Sequence, residues 1–228
     1  MQRKKTKTFQ AKQVGLDKNK RYAPEDALQQ VLENSYEKFD PSIEVHVRTG
    51  IDPRKGDQVV RGSVVLPHAS GKTKKIAVFA EGDKAKEAVA AGVAIVGGQE
   101  LIDEIKQTGK ADFDIAIATP DMMKSLASVA RILGPRGLMP SPKNNTVTTN
   151  VLSAIEEVKK GRLDFKNDAT GNVHIMIGKK SLGKEKLFAN YTACMETLRK
   201  GRPSTVKGSY IRTISLSSTM GPGILIQP

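Results

Sequence analysis

The stretch that decides the fold is residues 75–133, which read KIAVFAEGDKAKEAVAAGVAIVGGQELIDEIKQTGKADFDIAIATPDMMKSLASVARIL. Three short apolar runs in this stretch, residues 75–80, 94–96 and 115–118, are each followed by a segment with helical periodicity. After the third run, Thr119 is placed to cap a helix and Pro120 to begin it. The apolar face of that helix consists of Met122, Leu126, Val129 and Leu133. This alternation predicts a parallel sheet with helices on both faces, which is a small doubly wound α/β domain.

The sequence on either side of this stretch has a different periodicity. Residues 43–48 alternate apolar and polar side chains, the pattern of a strand with one buried and one wet face, and residues 59–66 are a candidate pairing partner for it. Further short apolar runs of antiparallel character and one long helix, from about residue 184 to 198, follow the central stretch. We therefore predict a fold that combines the α/β and α+β classes. A split α+β domain of residues 1–69 plus 162–228 is interrupted by an inserted α/β domain of residues 70–161.

The chain carries a large positive charge. Its 228 residues include 37 Lys and Arg against 24 Asp and Glu, and the net charge of +13 with a pI near 9.8 predicts a polyanionic partner. Residues 70–161 hold only +2 of this charge and the flanking segments hold +11, so we expect the polyanion to bind the split domain. The scarcity of aromatic residues favours folded RNA or duplex over stacked single strands. Nucleic acid is the first candidate for this partner and an anionic membrane surface the second. A mean hydropathy of −0.37 argues against a membrane protein, and we expect no membrane partner.

The sequence lacks the motifs of several enzyme classes. Gly71-Lys72-Thr73 resembles the end of a phosphate-binding loop, but Leu66 stands where that loop needs glycine, and no dinucleotide-binding glycine pattern opens a helix. The three histidines show no metal-ligand spacing, and the single Cys194 suits a structural thiol. We predict no cofactor, no metal and no catalytic residue. The alternatives are a nucleotide-binding enzyme that uses the α/β domain and a DNA-binding repressor, although no helix-turn-helix pattern supports the latter.

Two segments have an unusual composition. Residues 131–143, RILGPRGLMPSPK, combine two Gly, three Pro and three basic residues, which predicts a stiff exposed loop. From composition alone, this segment fits a structural turn and a ligand-binding loop equally well. Residues 217–222, SSTMGP, offer hydroxyls, an unbranched apolar side chain and a glycine that permits close backbone approach, all of which suit a packed RNA surface. By chemistry alone, a plain β-turn is favoured for this segment.

Nine segments spread over nearly the whole chain together resemble one known family, the bacterial type of ribosomal large-subunit protein one. They are Phe39-Asp40, Glu44-Val-His46, Gly50-Ile-Asp-Pro-Arg54, Val60-Arg-Gly62, Leu66-Pro-His68, Ala118-Thr-Pro-Asp-Met122, residues 131–143, Phe165-Lys-Asn-Asp168 and Thr219-Met-Gly-Pro222. The RILGPRGLMP run in combination with the TMGP end is highly specific to that family. The resemblance implies a split α+β domain with an inserted Rossmann-like domain, in agreement with the division drawn from pattern and charge.

The resemblance also implies a function. Proteins of this family are not enzymes, and they bind the mobile stalk of large-subunit ribosomal RNA beside the tRNA exit site. They assist the release of deacylated tRNA, and many repress translation by binding their own messenger RNA. The partners expected here are therefore the rRNA stalk, exit-site tRNA and the protein's own mRNA, with the free protein a monomer. The expected location is the large ribosomal subunit in a bacterial cytoplasm, and an organelle remains the alternative.

By the same resemblance, the family's RNA-contacting positions can be assigned to residues of this sequence. They fall on Phe39, Glu44, Asp168, Thr219, Met220 and Gly221, with the hydroxyl of Ser42 where Thr is common in the family. To these we add the basic side chains of Lys38 and Arg48 as phosphate contacts.

Overall fold

The chain divides into two compact units. The computed structural model describes Asp17 and residues 20–69, 74–159 and 161–227. One unit consists of Met1–Gly71 with Leu163–Pro228 and is called the split unit here, and the other, Lys72–Arg162, is called the inserted unit. In the part of the chain that is described, no helix combines the length and the apolar character needed to cross a membrane.

Strands and helices of the described residues are numbered in chain order. The strands are β1 (Ser42–Thr49), β2 (Arg61–Val65), β3 (Ile76–Phe79), β4 (Ile95–Gly97), β5 (Ile115–Ala118), β6 (Arg162–Lys166), β7 (Asn172–Lys179), β8 (Ile211–Ser218) and β9 (Ile224–Ile226). The helices are α1 (Pro24–Glu33), α2 (Asp83–Ala90), α3 (Gln99–Thr108), α4 (Met123–Leu126), α5 (Ala130–Leu133), α6 (Val151–Lys159) and α7 (Lys184–Lys200).

The inserted unit is built on a parallel sheet in the order β4-β3-β5. Successive strand residues point to opposite faces, so Phe79 packs in one hydrophobic cluster and Val78 in another. The first cluster contains buried residues of α3 and α4, and the second contains buried residues of α2 and α6. The predicted doubly wound arrangement is confirmed, because the strands are short, apolar and covered on both faces.

The helix predicted after Pro120 is wrong in its start and its continuity. Thr119 accepts a hydrogen bond from the Met122 amide and donates its own amide to Phe79, so residues 119–122 form a turn and the helix begins at Met123. It then breaks into α4, a 3₁₀ turn at Ala127–Val129 and α5. The predicted buried face is nevertheless correct. Met122, Leu126, Val129 and Leu133 are all buried.

The split unit contains a four-stranded antiparallel sheet in the order β7-β1-β8-β9. On the central strand β1, Ile43, Val45 and Val47 are buried, whereas the intervening side chains are half-buried or exposed. Buried residues of α1 and α7 belong to the same hydrophobic cluster as these three side chains. The strand therefore has the one dry face and one wet face that its alternation predicted.

The expected pairing of residues 59–66 with β1 is wrong. Strand β2 pairs instead with β6 in a separate two-stranded sheet. The side-chain oxygen of Asn167 accepts a hydrogen bond from the Val60 backbone amide, and the Asn167 backbone amide donates to the Val60 carbonyl, so the residue before β2 is joined to the residue after β6. Both edges of β1 are already taken by β7 and β8, which leaves no free edge for β2.

Candidate nucleic-acid interface

The wet face of β1 presents a row of polar side chains. Ser42, Glu44 and His46 are half-buried on this face, and Arg48 is exposed. The register sets hydroxyl and imidazole side chains of the neighbouring strands beside them, because Glu44 lies opposite Ser217 and His46 lies opposite both Ser215 and His174. This surface, called the open sheet face here, can donate and accept hydrogen bonds over three adjacent strands.

A turn at Thr219–Gly221 closes one end of the open sheet face, directly after β8. The Ser42 amide donates to the Thr219 hydroxyl at 3.1 Å, which attaches the turn to the first residue of β1. The Tyr36 hydroxyl donates to the Met220 carbonyl at 3.0 Å, and the Gly221 amide donates to the Ser218 hydroxyl at 3.0 Å. The turn is therefore fixed by residues from both ends of the chain.

Glu37 is the main organiser of this turn. One carboxylate oxygen accepts hydrogen bonds from the Ser218 hydroxyl at 2.6 Å and from the Met220 amide at 2.9 Å, and the other accepts from the Ser35 hydroxyl at 2.6 Å. Burial acts to raise the pKa of Glu37, but the hydrogen bonds from Ser218 and Ser35, together with backbone amides, lower the pKa to about 2. Glu37 is consequently ionised at neutral pH and holds two segments that are distant in sequence.

Two large apolar side chains stand out into solvent at this end of the sheet. Phe39 is 53% exposed and Met220 is 53% exposed, although most apolar side chains of the split unit are buried. Lys38 and Thr219 beside them are also exposed. Exposed apolar groups next to a cation and a hydroxyl can cover a base or sugar while the polar groups bind phosphate or 2′-hydroxyl oxygens.

Asp168 lies at the opposite end, in the turn between β6 and β7. Its carboxylate accepts hydrogen bonds from the Asn172 amide at 2.7 Å and from the Thr170 amide at 2.9 Å. The bond from the Asn172 amide, aided by those from Thr170, holds the pKa of Asp168 well below its usual range despite an opposing effect of desolvation. Since Asn172 pairs with Arg48 in the β7–β1 register, this turn borders the far end of the open sheet face.

The predicted site residues thus fall into two groups, one toward each end of the open sheet face. The first group is at the start of β1 and consists of Lys38, Phe39, Ser42, Glu44, Thr219, Met220 and Gly221. The second group, Arg48 and Asp168, lies toward the end of the strand. Within the first group the structure shows the direct contact of Ser42 with Thr219, whereas Asp168 reaches Arg48 only through the strand pairing of Asn172.

Sequence reasoning missed Glu37 and the pairing of two histidines. Nothing in the sequence around Glu37 links it to Ser218, because 181 positions separate them. His46 could have been found from the β1 alternation, which places it between Glu44 and Arg48 on one face. His174 needed the strand register, because His46 and His174 are 128 positions apart in sequence and yet their Nδ1 atoms lie 2.8 Å apart.

The other sequence features that could have indicated a function are the cysteine, the candidate metal ligands and the 131–143 loop. Cys194 is buried in α7, and burial raises the pKa of its thiol to about 12, so it is an inert thiol at neutral pH. Among the described residues, no group of three or more His, Cys, Asp or Glu side chains is placed to hold a metal ion. In the 131–143 loop, Arg136 donates to the Gly109 carbonyl at 3.1 Å, and so supports the end of α3.

Fold and site together define a mixed α/β protein of two compact units, one of which carries a polar open sheet face. The model of the ribosomal protein L1p/L10e family matches residues 31–222, and the chain belongs to that family. The chain is also 48% identical over 225 residues to a protein of Mycobacterium sp. (strain KMS) named large ribosomal subunit protein uL1, with 99% of this chain and 95% of the relative covered. The resemblance stated from the motifs is confirmed, as is the non-enzymatic, ribosomal character that it implied. The family and its bacterial relative also confirm the expected cytoplasmic location.

Proposed function

We propose that this protein is a structural component of the large ribosomal subunit that binds the rRNA stalk through the open sheet face and the 219–221 turn. One observation carries the proposal: two large apolar side chains, Phe39 and Met220, are half exposed at the end of a polar sheet in a chain of net charge +13. Exposed apolar side chains beside an exposed cation and hydroxyl can cover base and sugar faces while the polar groups bind phosphate or 2′-hydroxyl oxygens. A polyanion with base and sugar faces is the partner that fits both features.

In this arrangement the 219–221 turn provides a rigid contact surface, and exposed basic side chains provide the charge. The Glu37 network fixes the backbone of the turn before RNA arrives, so little ordering cost remains on binding. Arg48 and Lys38 are exposed cations on long side chains, and they serve as phosphate contacts. Asp168 shapes the 168–172 turn, and its oxygens are engaged by that turn in the free protein. We therefore propose that Asp168 presents the turn to RNA rather than contacting phosphate.

The contact role is tested with a matched pair of charge-introducing variants. Met220→Asp should weaken binding of a large-subunit rRNA stalk fragment by about 1–3 kcal/mol, because it places an anion and removes an apolar contact at the interface. Val65→Asp also replaces an exposed apolar side chain with an anion, at a valine of β2 that is 46% exposed, and should bind like wild type. Filter binding at fixed salt measures both. Equal affinity of the two variants would contradict the proposed interface.

The phosphate role is tested by salt dependence. Arg48→Ala should reduce the slope of log affinity against log salt by about one unit, because one fewer phosphate is neutralised. Phe39→Ala should weaken binding by about 1–3 kcal/mol and leave that slope unchanged, since stacking releases no counterions. An identical salt slope for Arg48→Ala and wild type would show that Arg48 contacts no phosphate.

The finer functions belong to the same proposal. We propose that the protein assists the release of deacylated tRNA from the exit site, that it represses translation by binding its own mRNA, and that it is a monomer when free. Family membership supports these proposals, and so does the surface itself, because one RNA-binding face can serve rRNA and a similar fold in mRNA. Ribosomes depleted of the protein should release exit-site tRNA more slowly, and adding the protein should inhibit cell-free translation of its own message. Met220→Asp should lose the second effect and Val65→Asp should keep it.

A further inference from the structure

A pair of histidines lies in the middle of the open sheet face. His46 on β1 and His174 on β7 are directly opposite in the register, and their Nδ1 atoms lie 2.8 Å apart. The rings meet edge to face, with centroids 5.0 Å apart. At this distance one Nδ1 carries a hydrogen and the other offers its lone pair. The two imidazoles therefore act as one coupled unit.

The surrounding groups fix where the hydrogens lie. The Nε2 atom of His174 faces the Asp168 carboxylate at 3.5 Å, which favours a hydrogen on that nitrogen, so Nδ1 of His174 accepts and Nδ1 of His46 donates. The Nε2 atom of His46 then accepts from the Ser217 hydroxyl at 3.0 Å. In this arrangement Nε2 of His46 is the nitrogen that can take a further proton, once the Ser217 hydroxyl rotates its hydrogen away.

Among the described residues, two charged side chains of β1 flank that nitrogen. Glu44, two residues back on β1, has a carboxylate oxygen 3.9 Å from Nε2 of His46, and Arg48 lies two residues on along the same face. Asp168 faces the outer side of His174, while β8 contributes only hydroxyls here. In the free protein, burial and the neighbouring His174 lower the pKa of His46, and Glu44 opposes this by raising it. His46 is thus mainly neutral near pH 7 until another anion approaches.

We propose that His46 and His174 form a further RNA-binding element of the open sheet face, and that the pair takes up one proton at Nε2 of His46 when RNA binds. This inference rests on the proposed function. His46 lies between two proposed contact residues, Glu44 and Arg48, so an RNA phosphate held there also faces His46. A protonated His46 neutralises the repulsion between that phosphate and the Glu44 carboxylate, whereas a neutral one leaves two anions facing each other.

The geometry limits the uptake to one proton. With one added proton, the Nδ1 hydrogen bond persists as an imidazolium donating to a neutral imidazole. A second proton would have to enter at Nδ1 of His174 and would oppose the hydrogen on Nδ1 of His46 across 2.8 Å, so it would break the pair. Because the bound complex holds more protons than the free protein, affinity rises as pH falls, with a slope of at most one log unit per pH unit.

The experiment measures binding of full-length protein to the rRNA stalk fragment from pH 8.0 to 5.5 at constant salt, with a chelator present. Wild type should bind about threefold to tenfold more tightly at the acid end of this range. His46→Gln keeps a neutral hydrogen-bonding side chain at every pH and should give a flat profile. His68→Gln, which changes the third histidine of the chain, should retain the wild-type profile. The Cε1 proton shift of His46, followed by NMR, should show a higher pKa in the complex than in the free protein.

The possible failures can be told apart. A flat wild-type profile with measurable affinity, or a pH dependence that survives in His46→Gln, would overturn the inference and leave the proposed function standing. A slope near two would also overturn it, because the pair would then take up two protons. Absence of stalk binding at every pH would overturn the proposed function and this inference together.

Discussion

Glu37 shows how a single carboxylate can determine the shape of a distant turn. Its two oxygens collect hydrogen bonds from Ser35, Ser218 and the Met220 amide, which joins the segment before β1 to the segment after β8. Charge-assisted hydrogen bonds of this kind are stronger than neutral ones. The conformation of the turn that exposes Thr219 and Met220 therefore depends on Glu37, although Glu37 makes no hydrogen bond to either of those side chains.

The low pKa of Glu37 predicts a pH-dependent contribution to stability. Its pKa is about 2 in the folded protein against 4.5 ordinarily, so its contribution is complete above pH 4.5 and is lost as the pH falls from 4.5 through 2. Glu37→Gln should lower the free energy of unfolding by about 1 kcal/mol at pH 7, a figure reduced from that of buried charged hydrogen bonds because the group is partly exposed. The difference from wild type should shrink toward zero near pH 2.

Urea unfolding at several pH values measures this effect. Glu87→Gln changes an exposed glutamate on α2 and should leave stability nearly unchanged throughout. If Glu37→Gln differed from wild type equally at pH 7 and pH 2.5, the carboxylate charge would not be the stabilising feature.

At the scale of elements, the pairing of β2 with β6 depends on one close approach. A Cβ atom added at Gly62 would lie 2.9 Å from Cζ of Phe165, so the phenyl ring packs onto the bare backbone of β2. Phe165 is buried and belongs to the hydrophobic cluster of the split unit. Gly62 is thus needed for close packing and not for an unusual backbone conformation.

Replacing this glycine should destabilise the two-stranded sheet. Gly62→Ala forces Phe165 to move from a packed position and should cost about 1–3 kcal/mol of unfolding free energy. Gly56→Ala is the matched control, because nothing lies within 4 Å of a Cβ added there. Thermal unfolding of the two variants compares them directly. A cost for Gly56→Ala as large as that for Gly62→Ala would contradict the packing explanation.

At the scale of the whole molecule, charge and contact chemistry coincide on one unit. The proposed contact residues all belong to the split unit, and the sequence outside residues 70–161 holds +11 of the net charge of +13. The polar face, the exposed apolar side chains and most of the attraction for a polyanion are therefore in the same unit.

A shortened protein should retain the RNA affinity. Joining residues 1–69 to 163–228 through a short flexible linker should give a folded protein whose affinity for the stalk fragment is within about threefold of the full chain, a difference below about 1 kcal/mol. Arg162 is omitted because its buried guanidinium pairs with Glu157 of the inserted unit at 2.7 Å. Circular dichroism establishes folding before affinity is measured. A folded protein that had lost binding would show that the inserted unit contributes essential contacts.

The sequence by itself determined the fold class, the buried faces and the family. Alternation in β1 and apolar spacing in the central stretch specified which side chains are buried, because burial follows directly from the period of each element. The open sheet face and the 219–221 turn were also predictable, the first from that alternation and the second from its motif.

Only the tertiary structure decided which partners meet. Strand register and sheet packing determine the pairing of β2 with β6 and the contact between His46 and His174. Turn geometry determines the start of α4 at Met123 and the hydrogen bonds of Glu37. A register is fixed by packing of the whole sheet, and a shift of one residue would move every side chain to the other face. Local sequence carries the period of an element but not its neighbour, and the chemistry of this site arises between neighbours.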